Sequence, residues 1–308
     1  ELAGVSSGRV TRGHRFLGSD VSLARAGEYA EALRRQYVLA DPEERKQAIL
    51  DQIRRLSEQK GWTIAVNEDL LEEVLFLVEY PTVLSGSFDP AFLAIPQDVL
   101  ITSMREHQRY FPVFDAGGKL LPHFVTVRNG DGRSLDVVAR GNEKVLRARL
   151  TDARFFYEED KKLTIDRALG KLETIVYREE LGTVGDKVRR VRRVAGGLAE
   201  RLGLPEEARR HVDRAAHICK FDLVTQMVYE FPELQGIMGE DYARLMGEPE
   251  PVCRAVNEHY RPRHAGDGPP ESPVGAVVGL ADKMDTIAGC FSIGIVPTGS
   301  QDPYALRR

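Results

Sequence analysis

The sequence predicts an α+β protein, in which an N-terminal α+β domain with a mixed or antiparallel sheet is followed by an all-helical domain. Two observations support this fold class. Short apolar segments alternate with turn residues over 81–130, which is typical of strands that pair in a sheet. From about Ser134 onward the pattern is mostly helical, interrupted by a proline- and glycine-rich loop over 261–275.

Four elements precede the strand region. A strand and loop are predicted over 1–18, and helices over 24–39, 42–60 and 67–79. Pro42 suits the first turn of the second helix, and Gly61 is a natural stop after its last turn. Asn67 can cap the third helix, because its side-chain oxygen accepts a hydrogen bond from a free backbone N–H.

The strand region itself contains one clear turn signal. A hairpin is predicted around Gly117-Gly118, since paired glycines allow the positive φ angles of a tight turn. The later change from strands to helices divides the chain into three parts. We expect an α+β domain over 1–132, a helical connector over 133–181 and a helical domain over 182–308.

The composition is that of an ordinary globular protein. The 308 residues are 42% hydrophobic and 29% charged, and this length can form two domains with sizeable cores. No apolar run approaches the ~18 residues of a membrane span, and no N-terminal signal pattern is present. Three widely spaced cysteines, Cys219, Cys253 and Cys290, argue against a disulfide framework and for a reducing cytoplasm, where we expect the protein.

The net charge of −4 excludes a globally basic nucleic-acid binder but allows a local basic patch. Two clusters qualify, over 140–154 (RGNEKVLRARLTDAR) and 187–193 (KVRRVRR). Rigid helices that carry cations suit a phosphodiester backbone, and arginine adds a bidentate fork. The candidate phosphate-binding residues are Arg140, Lys144, Arg147, Arg149, Arg154, Lys187, Arg189, Arg190, Arg192 and Arg193.

The second cluster has an amphipathic pattern. Val188 and Val191 begin an apolar stripe at helical spacing, so the helix can bury that stripe and turn Arg189, Arg190 and Arg193 outward. A solvated helix face with local ion pairs is the alternative interpretation of both clusters, because such faces are common in proteins that bind no nucleic acid.

No catalytic residue is predicted. The sequence lacks the phosphate-binding loop, the dinucleotide-binding fingerprint and the nucleophile elbow. Carboxylate runs such as 158–160 are expected to be solvated, because neighbouring residues on a helix point in different directions. His259 and His264 lie near Cys253 but match no usual metal-ligand spacing, so we expect a surface or capping role for them.

Six stretches carry a more specific signal. They are RGHRFLG at 12–18, the segment 79–114, ARLTDARFFYEED at 148–160, the segment 217–243, LADKMDT at 280–286 and PTGSQDPYALRR at 297–308. In this order and spacing they resemble the β subunit of the bacterial two-subunit, α2β2, glycyl-tRNA synthetase. The resemblance covers essentially the whole chain, and the stretches are long and mutually ordered.

The resemblance implies a division of labour between two chains. In that family the separate α subunit binds glycine and ATP, with magnesium, and performs the adenylation and transfer. The β subunit supplies tRNA recognition, so the implied partners are the α subunit and glycine tRNA, with no cofactor and no membrane. The chain begins at Glu1 without an initiator methionine, and we expect a central fragment that lacks the C-terminal anticodon-binding domain.

The resemblance also implies that 182–308 is a helical domain of the HD-phosphohydrolase type. Working HD enzymes hold a divalent metal with a His, a His-Asp doublet and a distal Asp, and the metal activates water. Asp282 falls at the distal position, whereas Cys219 and Lys220 replace the doublet. A lysine cation is a poor metal ligand, so we expect a degenerate site in which Asp282 makes structural hydrogen bonds or a salt bridge, for example with an arginine.

Two further functions stay open beside tRNA binding. An HD-type metal-dependent phosphohydrolase is the alternative from a different class, and hydrolysis abolished by Asp282→Ala would support it. A pure assembly module that contacts only the α subunit is the third possibility, and co-purification with α without tRNA protection would favour it.

Two segments allow two interpretations each. At 297–308, Asp302 can cap a helix from Pro303 that projects Arg307 and Arg308 toward tRNA or the α subunit, or the turn can simply seat a following domain. The α+β region is similar to the core domain of phenylalanyl-tRNA synthetase β chains. Its polar residues can line a groove for the tRNA acceptor stem or keep an edge strand soluble. These residues are Arg105, His107, Arg109 and Arg128.

Overall fold

The computed structural model describes residues 3–4, 6–264, 266–298, 302 and 306. The chain folds into two compact units, residues 1–152 and 153–308. The first unit contains β1 (Val10–Arg12), β2 (Asp20–Ser22), α1 (Tyr29–Arg34), α2 (Pro42–Lys60), β3 (Thr63–Ile64), α3 (Glu68–Leu77), β4 (Pro81–Ser87), α4 (Gln97–Thr102), β5 (Phe111–Phe114) and β6 (Leu120–Asn129). The long helix α5 (Leu135–Asp160) runs across the division.

Local capping signals set the helices of the first unit. The Asp41 side chain accepts the Glu43 N–H at the start of α2, and Gly61 ends that helix with a φ of 67°. The Asn67 side chain accepts the Leu70 N–H at the start of α3, as predicted. The helix predicted over 24–39 is wrong in extent, because only α1 is α-helical and the chain turns through Tyr37 at a φ of 58°.

The sheet is antiparallel, with the strand order β3-β5-β6-β4. The predicted hairpin around Gly117-Gly118 is confirmed as the turn between β5 and β6. The side chain of Asp115 accepts the backbone N–H of Gly117 at 2.9 Å, and Gly118 adopts a φ of 79°. The α+β class is therefore confirmed.

Both faces of this sheet are buried. On one face, Ile49 of α2 and Leu71 of α3 pack against a cluster that includes Phe111 and Val125 of the strands. On the other face Phe124 is fully buried, since successive residues of a strand point to opposite sides.

The second unit continues with α6 (Ile165–Leu172), β7 (Val176–Arg178), β8 (Gly182–Thr183), α7 (Val184–Arg201), α8 (Glu206–Ile218), α9 (Gln226–Glu230), α10 (Ile237–Leu245), α11 (Glu250–Glu258) and α12 (Pro273–Ser292). The all-helical prediction for 182–308 needs one correction, because that region opens with a small hairpin strand, β8, which pairs with β7. Thr183 and Asp186 then form a reciprocal capping box at the start of α7.

Helices α7, α8, α11 and α12 pack on one another as the body of the second unit. The predicted stripe of α7 is buried at Val188, Val191 and Ala195. Of the helices in the described part of the chain, none combines the length and the apolar character that a bilayer crossing requires.

Candidate functional site

Polar side chains meet in the interior of the second unit, where α7 and α12 lie against the ends of α8 and α11. We call this group, Lys187, Arg190, Lys220, His259, Asp282 and Asp285, the ionic cluster. Lys187 and Arg190 come from α7, and Asp282 and Asp285 from α12. The i, i+3 spacing puts each pair on one side of its helix, so two cations face two carboxylates.

Lys220 is at the centre of the cluster. It is 5% exposed, and its Nζ lies 2.8 Å from Oδ2 of Asp282 and 2.9 Å from Nε2 of His259. The ring of Tyr260 lies 4.0 Å below the ammonium, within the range of a cation–π contact. Burial alone would lower the pKa of Lys220, but the Asp282 charge, the Tyr260 and Cys219 side chains and the Asp282 hydrogen bond together raise that pKa well above its ordinary value.

His259 is a neutral partner of this ammonium. Its Nδ1 lies 2.8 Å from the Val256 carbonyl oxygen, which can only accept, so Nδ1 carries the proton and Nε2 accepts from Lys220. Burial and then the Lys220 charge hold the pKa of His259 well below its ordinary value. Of the two roles expected for His259, the capping role is confirmed, because this residue is the C-cap of α11. The surface role is wrong, because His259 is fully buried.

Lys187 is also part of the interior. Its Nζ lies 2.9 Å from Oδ1 of Asp282, 3.2 Å from Oδ2 of Asp285 and 2.8 Å from Oγ1 of Thr286. The side chain is 7% exposed, so its ammonium does not face solvent. Lys187 was a candidate phosphate-binding residue, and the structure corrects this: the cation neutralises two carboxylates of its own chain.

Asp282 lies between the two lysines. Burial would raise its pKa, but the charges of Lys220 and Lys187 outweigh burial and hold the pKa far below its ordinary value. The prediction of a structural salt bridge at Asp282 is confirmed, although its partners are lysines. The arginine in the cluster, Arg190, binds Asp285 through Nε at 2.6 Å and the Leu181 carbonyl at 2.9 Å.

The ionic cluster does not fit a metal. The ammonium of Lys220 fills the space between the Asp282 carboxylate and the His259 imidazole, the two groups that could act as ligands. Cys219, the residue before Lys220, is fully buried, and burial raises the pKa of its thiol to about 12. No group of three or more His, Cys, Asp or Glu in the described residues is placed to hold an ion.

Asp222, which lies just beyond Lys220, is a separate buried carboxyl. Its Oδ2 accepts the Gly236 N–H at 2.6 Å. Burial raises the pKa of Asp222 to about 6, although the Gly236 N–H and the Lys220 charge act in the other direction. The folded chain therefore keeps the Asp222 proton at pH values where the unfolded chain has lost it.

Asp222→Asn is expected to remove a pH dependence of stability. In the unaltered chain, the raised pKa makes the folded state bind more protons between about pH 4 and 6, so stability falls as the pH rises through this window, by about 3 kcal/mol. Asparagine does not titrate. Denaturant unfolding of both chains between pH 4 and 8 measures the difference.

Asp213→Asn is the matched control for this prediction. The hydrogen bond from Arg192 lowers the pKa of Asp213, so the Asp213 carboxylate stabilises the unaltered folded chain, and this contribution is lost toward acid pH. Asp213→Asn lacks the contribution at every pH. Its pH profile should therefore differ from that of the unaltered chain in the direction opposite to that of Asp222→Asn. Parallel pH profiles for the unaltered chain and Asp222→Asn would contradict the assignment of a protonated Asp222.

Two of the four exposed arginines of α7, Arg189 and Arg192, are neutralised within the unit. Arg189 binds Glu173 at 2.5 Å and Asp186 at 2.6 Å, and Arg192 binds Asp213 at 2.6 Å. Arg190 turns inward to Asp285. Arg193 is exposed and has no ion pair within the described residues. The prediction that Arg190 points outward is therefore wrong, and Arg189 and Arg192 are already committed to carboxylates.

The cations of α5 are placed differently. Arg140, Lys144 and Arg147 follow one another at i, i+4 and i+7, which puts them on one side of the helix, and we call these three the basic helix face. All three are exposed. Arg140 is paired with Asp136 at 3.0 Å, but no carboxylate of the described chain pairs with Lys144 or Arg147.

Glu143, Arg149 and Arg154 are further charged residues of the cluster over 140–154. Glu143 is three residues after Arg140 and four before Arg147, but its carboxylate accepts the Ser87 backbone N–H at 2.8 Å and forms no ion pair with these cations among the described residues. Arg149 is exposed but turned about 200° around the helix from Arg147, so it does not belong to the same face. Arg154 is exposed on the last turns of α5.

Two other sets of predicted residues have different outcomes. Arg105, His107, Arg109 and Arg128 are all only partly exposed. Arg109 pairs with Glu73, and Arg128 donates to the Arg133 carbonyl at 2.6 Å. In the other set, Asp302 Oδ1 accepts the Leu306 N–H at 2.9 Å. The predicted helix from Pro303, with Arg307 and Arg308, lies outside the described residues.

Sequence reasoning did not identify Asp285 or the burial of Lys187 and His259. A signal was available for part of this, since Lys187 and Arg190 repeat at i, i+3 and Asp282 and Asp285 do the same. Matching spacings of opposite charge on two helices are typical of helices joined by ion pairs. The spacing does not show whether the two helices are in contact, because that depends on the tertiary structure.

Comparison with known proteins gives one consistent result. The sequence profile described as "Glycyl-tRNA synthetase beta subunit" matches residues 1–308. The glycine–tRNA ligase beta subunit of Bacillus subtilis strain 168 is 61% identical over 307 residues, covering 100% of this chain and 45% of the relative. The same subunit of Halalkalibacterium halodurans is 60% identical over 308 residues, and that of Shouchella clausii is 58% identical over 307.

This chain spans less than half the length of these relatives, 44–45% in each case. The match nevertheless runs from end to end of the chain and includes the ionic cluster and the basic helix face. The six stretches that carried the resemblance all fall inside it. The chain therefore belongs to the glycyl-tRNA synthetase beta subunit family.

Proposed function

We propose that this chain is the tRNA-binding and scaffold part of the β subunit of a glycine–tRNA ligase, which supports ATP-dependent attachment of glycine to tRNA by a separate α subunit. The relatives are glycine–tRNA ligase beta subunits, which supports the reaction and the second subunit. ATP and magnesium are used on the α subunit in this proposal. The full assembly is an α2β2 heterotetramer, and it acts in the cytoplasm, where tRNA is charged.

The observation that carries the tRNA contact is the basic helix face. Lys144 and Arg147 project from a rigid 26-residue helix and are not neutralised by carboxylates of the described chain. A phosphate can therefore bind these two side chains without displacing a carboxylate of the same chain. At Arg189 and Arg192 on α7 it would first have to displace one. The main contact with the tRNA phosphates is therefore on α5, not on α7.

The ionic cluster has a structural role in this proposal. It joins α7, α12 and the ends of α8 and α11 by buried ion pairs, so the second unit is held as a scaffold. A metal-dependent hydrolase has no support, because Lys220 already neutralises the carboxylate that such an enzyme would use to hold its metal.

Replacing Lys144 and Arg147 together by glutamine is expected to weaken tRNA binding by the assembled enzyme on the order of tenfold at low salt. Each lost phosphate contact should flatten the slope of log K against log[salt] by about 0.7–0.9. The measurement is a titration of a glycine-accepting tRNA transcript at several salt concentrations. Both side chains are exposed, so thermal unfolding should be unchanged.

The matched control is the double replacement of Arg189 and Arg192 by glutamine. It also removes two positive charges, but from side chains that are already paired with carboxylates. The slope of log K against log[salt] should therefore equal that of the unaltered enzyme. An equal loss in both variants would indicate a general field effect. An unchanged slope in the Lys144 and Arg147 variant would remove α5 from the interface and favour a module that contacts only the α subunit.

A further inference from the structure

The first two strands form a hairpin that is almost completely exposed. β1 and β2 pair antiparallel, with Val10 opposite Ser22 and Arg12 opposite Asp20. Only the central residue of each strand is partly covered, and Val10 is 65% exposed. A two-stranded hairpin with both faces in water is marginally stable by itself, so its conformation depends on what the connecting turn does.

The turn RGHRFLG between these strands is tightly held. The Gly13 N–H donates to the Ser19 carbonyl at 3.1 Å, and the His14 N–H donates to the Gln36 carbonyl at 2.9 Å. Both glycines lie against Gln36: a Cβ on Gly13 would be 2.5 Å from its Cβ, and a Cβ on Gly18 would be 2.5 Å from its carbonyl oxygen. The turn is therefore clamped to one conformation by a close backbone approach that only glycine allows.

This clamped turn presents an aromatic ring to solvent. His14 is 4% exposed, and its Nδ1 accepts the Phe16 N–H at 3.2 Å, which fixes the backbone of the tip. Phe16 is 82% exposed, and the Arg15 guanidinium lies 5.5 Å from its ring centroid. A large apolar side chain on a rigid tip loses little conformational entropy when it binds a partner.

The surroundings of the ring are strongly positive. Residues 6–25 contain four arginines and one aspartate, in a chain whose net charge is −4. Arg12 and Arg15 are exposed and form no ion pair within 4 Å in the described residues, although Arg12 lies across the ladder from Asp20. Charge complementarity therefore favours a polyanion as the partner of this tip.

We propose that the turn at residues 12–18 is an RNA-contacting tip, in which Phe16 stacks on an unpaired base and Arg12 and Arg15 bind the flanking phosphates. This inference rests on the proposed function and adds a second contact region to it, distinct from the basic helix face. Unpaired RNA bases stack on aromatic side chains, and a basic surface beside the ring follows the backbone. A hydrophobic pocket in a protein would accept Phe16 but gives no reason for the excess of arginines around it.

The test uses the assembled two-subunit enzyme and a glycine-accepting tRNA transcript. Phe16→Ala and Phe16→Leu are both expected to raise Kd by about 5- to 150-fold, the effect of losing one base–aromatic stack. Phe16→Trp should keep the affinity, and its added fluorescence should be quenched when tRNA binds. Replacing Arg12 and Arg15 together by glutamine should flatten the salt slope by about 1.4 for two contacts with unpaired nucleotides.

Phe76→Ala is the matched control, since Phe76 is a 64% exposed phenylalanine of the same unit without this basic surrounding. Its Kd should equal that of the unaltered enzyme. Unchanged affinity in Phe16→Ala and Phe16→Leu, while the Lys144 and Arg147 variant binds more weakly, overturns the tip and leaves the proposed function intact. No tRNA binding by the unaltered enzyme overturns both. Loss of the α subunit in Phe16→Ala, with RNA affinity retained, assigns the tip to a protein partner and also overturns the inference.

Discussion

Asp282→Asn is expected to lower the free energy of unfolding by about 3–5 kcal/mol, the usual effect of removing one partner from a buried ion pair. The replacement leaves the ammonium of Lys220, which is 5% exposed, with only the neutral His259 imidazole and the Tyr260 ring. It also leaves Lys187 with Asp285 alone as a carboxylate partner. Urea unfolding at neutral pH measures the change.

A second replacement should recover most of that loss. Lys220→Met removes the unpaired buried cation and keeps an unbranched side chain of similar length, so the Asp282→Asn, Lys220→Met double variant is expected to be close to the unaltered chain. Asp136→Asn is the control at an exposed pair, because the Arg140–Asp136 contact leaves both side chains about two-thirds exposed. It should change stability by less than about 1 kcal/mol. Additive losses in the double variant would show that the two residues do not act as a pair.

The pH dependence of the stability difference between Asp282→Asn and the unaltered chain follows from the pKa shifts of Asp282 and Lys220. The pKa of Asp282 lies below its ordinary 3.8, so its contribution is present above that pH and is lost as the pH falls through the folded-state value. The pKa of Lys220 lies above its ordinary 10.5, so its contribution is present below that pH and is lost as the pH rises further. The difference between Asp282→Asn and the unaltered chain should therefore be greatest near neutral pH. It should shrink toward acid pH, where Asp282 of the unaltered chain is protonated, and toward alkaline pH, because without Asp282 burial lowers the pKa of Lys220 and the variant releases that proton.

Gly86→Val should have the largest effect in the first unit, about 3 kcal/mol or more, with Gly86→Ala at about 1–3 kcal/mol. Gly86 lies directly opposite Phe124 in the β4–β6 ladder, and the ring lies over the glycine. A Cβ there would be 2.8 Å from Cε1 of that ring and closer still to Cζ. The ring cannot move aside, because it is fully buried and stacked on Tyr110 with centroids 4.5 Å apart.

A double-mutant cycle separates this overlap from a general weakening of the strand. Phe124→Leu shortens the side chain, so Gly86→Ala should cost less in that background than in the unaltered chain, and the coupling should be at least about 1 kcal/mol. Gly141→Ala is the control, since a Cβ on Gly141 meets no atom within 4 Å and the residue lies inside α5. That replacement should stabilise the chain by about 0.5–1 kcal/mol. Equal effects of Gly86→Ala in both backgrounds would show that the ring is not the obstacle.

Elements that depend on short-range signals were predicted closely from the residues. Pro42 and Asn67 mark the starts of α2 and α3, Gly61 ends α2, and Gly118 turns the β5–β6 hairpin. In each case the interaction that decides the structure joins residues within about four positions, so the sequence contains the whole signal. The error over 24–39 fits this explanation, because α1 ends where the chain turns back and packs by long-range contacts.

The sequence alone determined the α+β class, the starts of α2 and α3, the end of α2 and the amphipathic stripe of α7. Only the tertiary structure decided which cations are free. Lys187 meets the Asp282 backbone 95 residues away because α7 packs on α12, whereas Lys144 and Arg147 form no ion pair with a carboxylate in the described part of the chain. The physical reason is that a charge pattern shows where cations are on a helix, while neutralisation depends on the helix that packs against it.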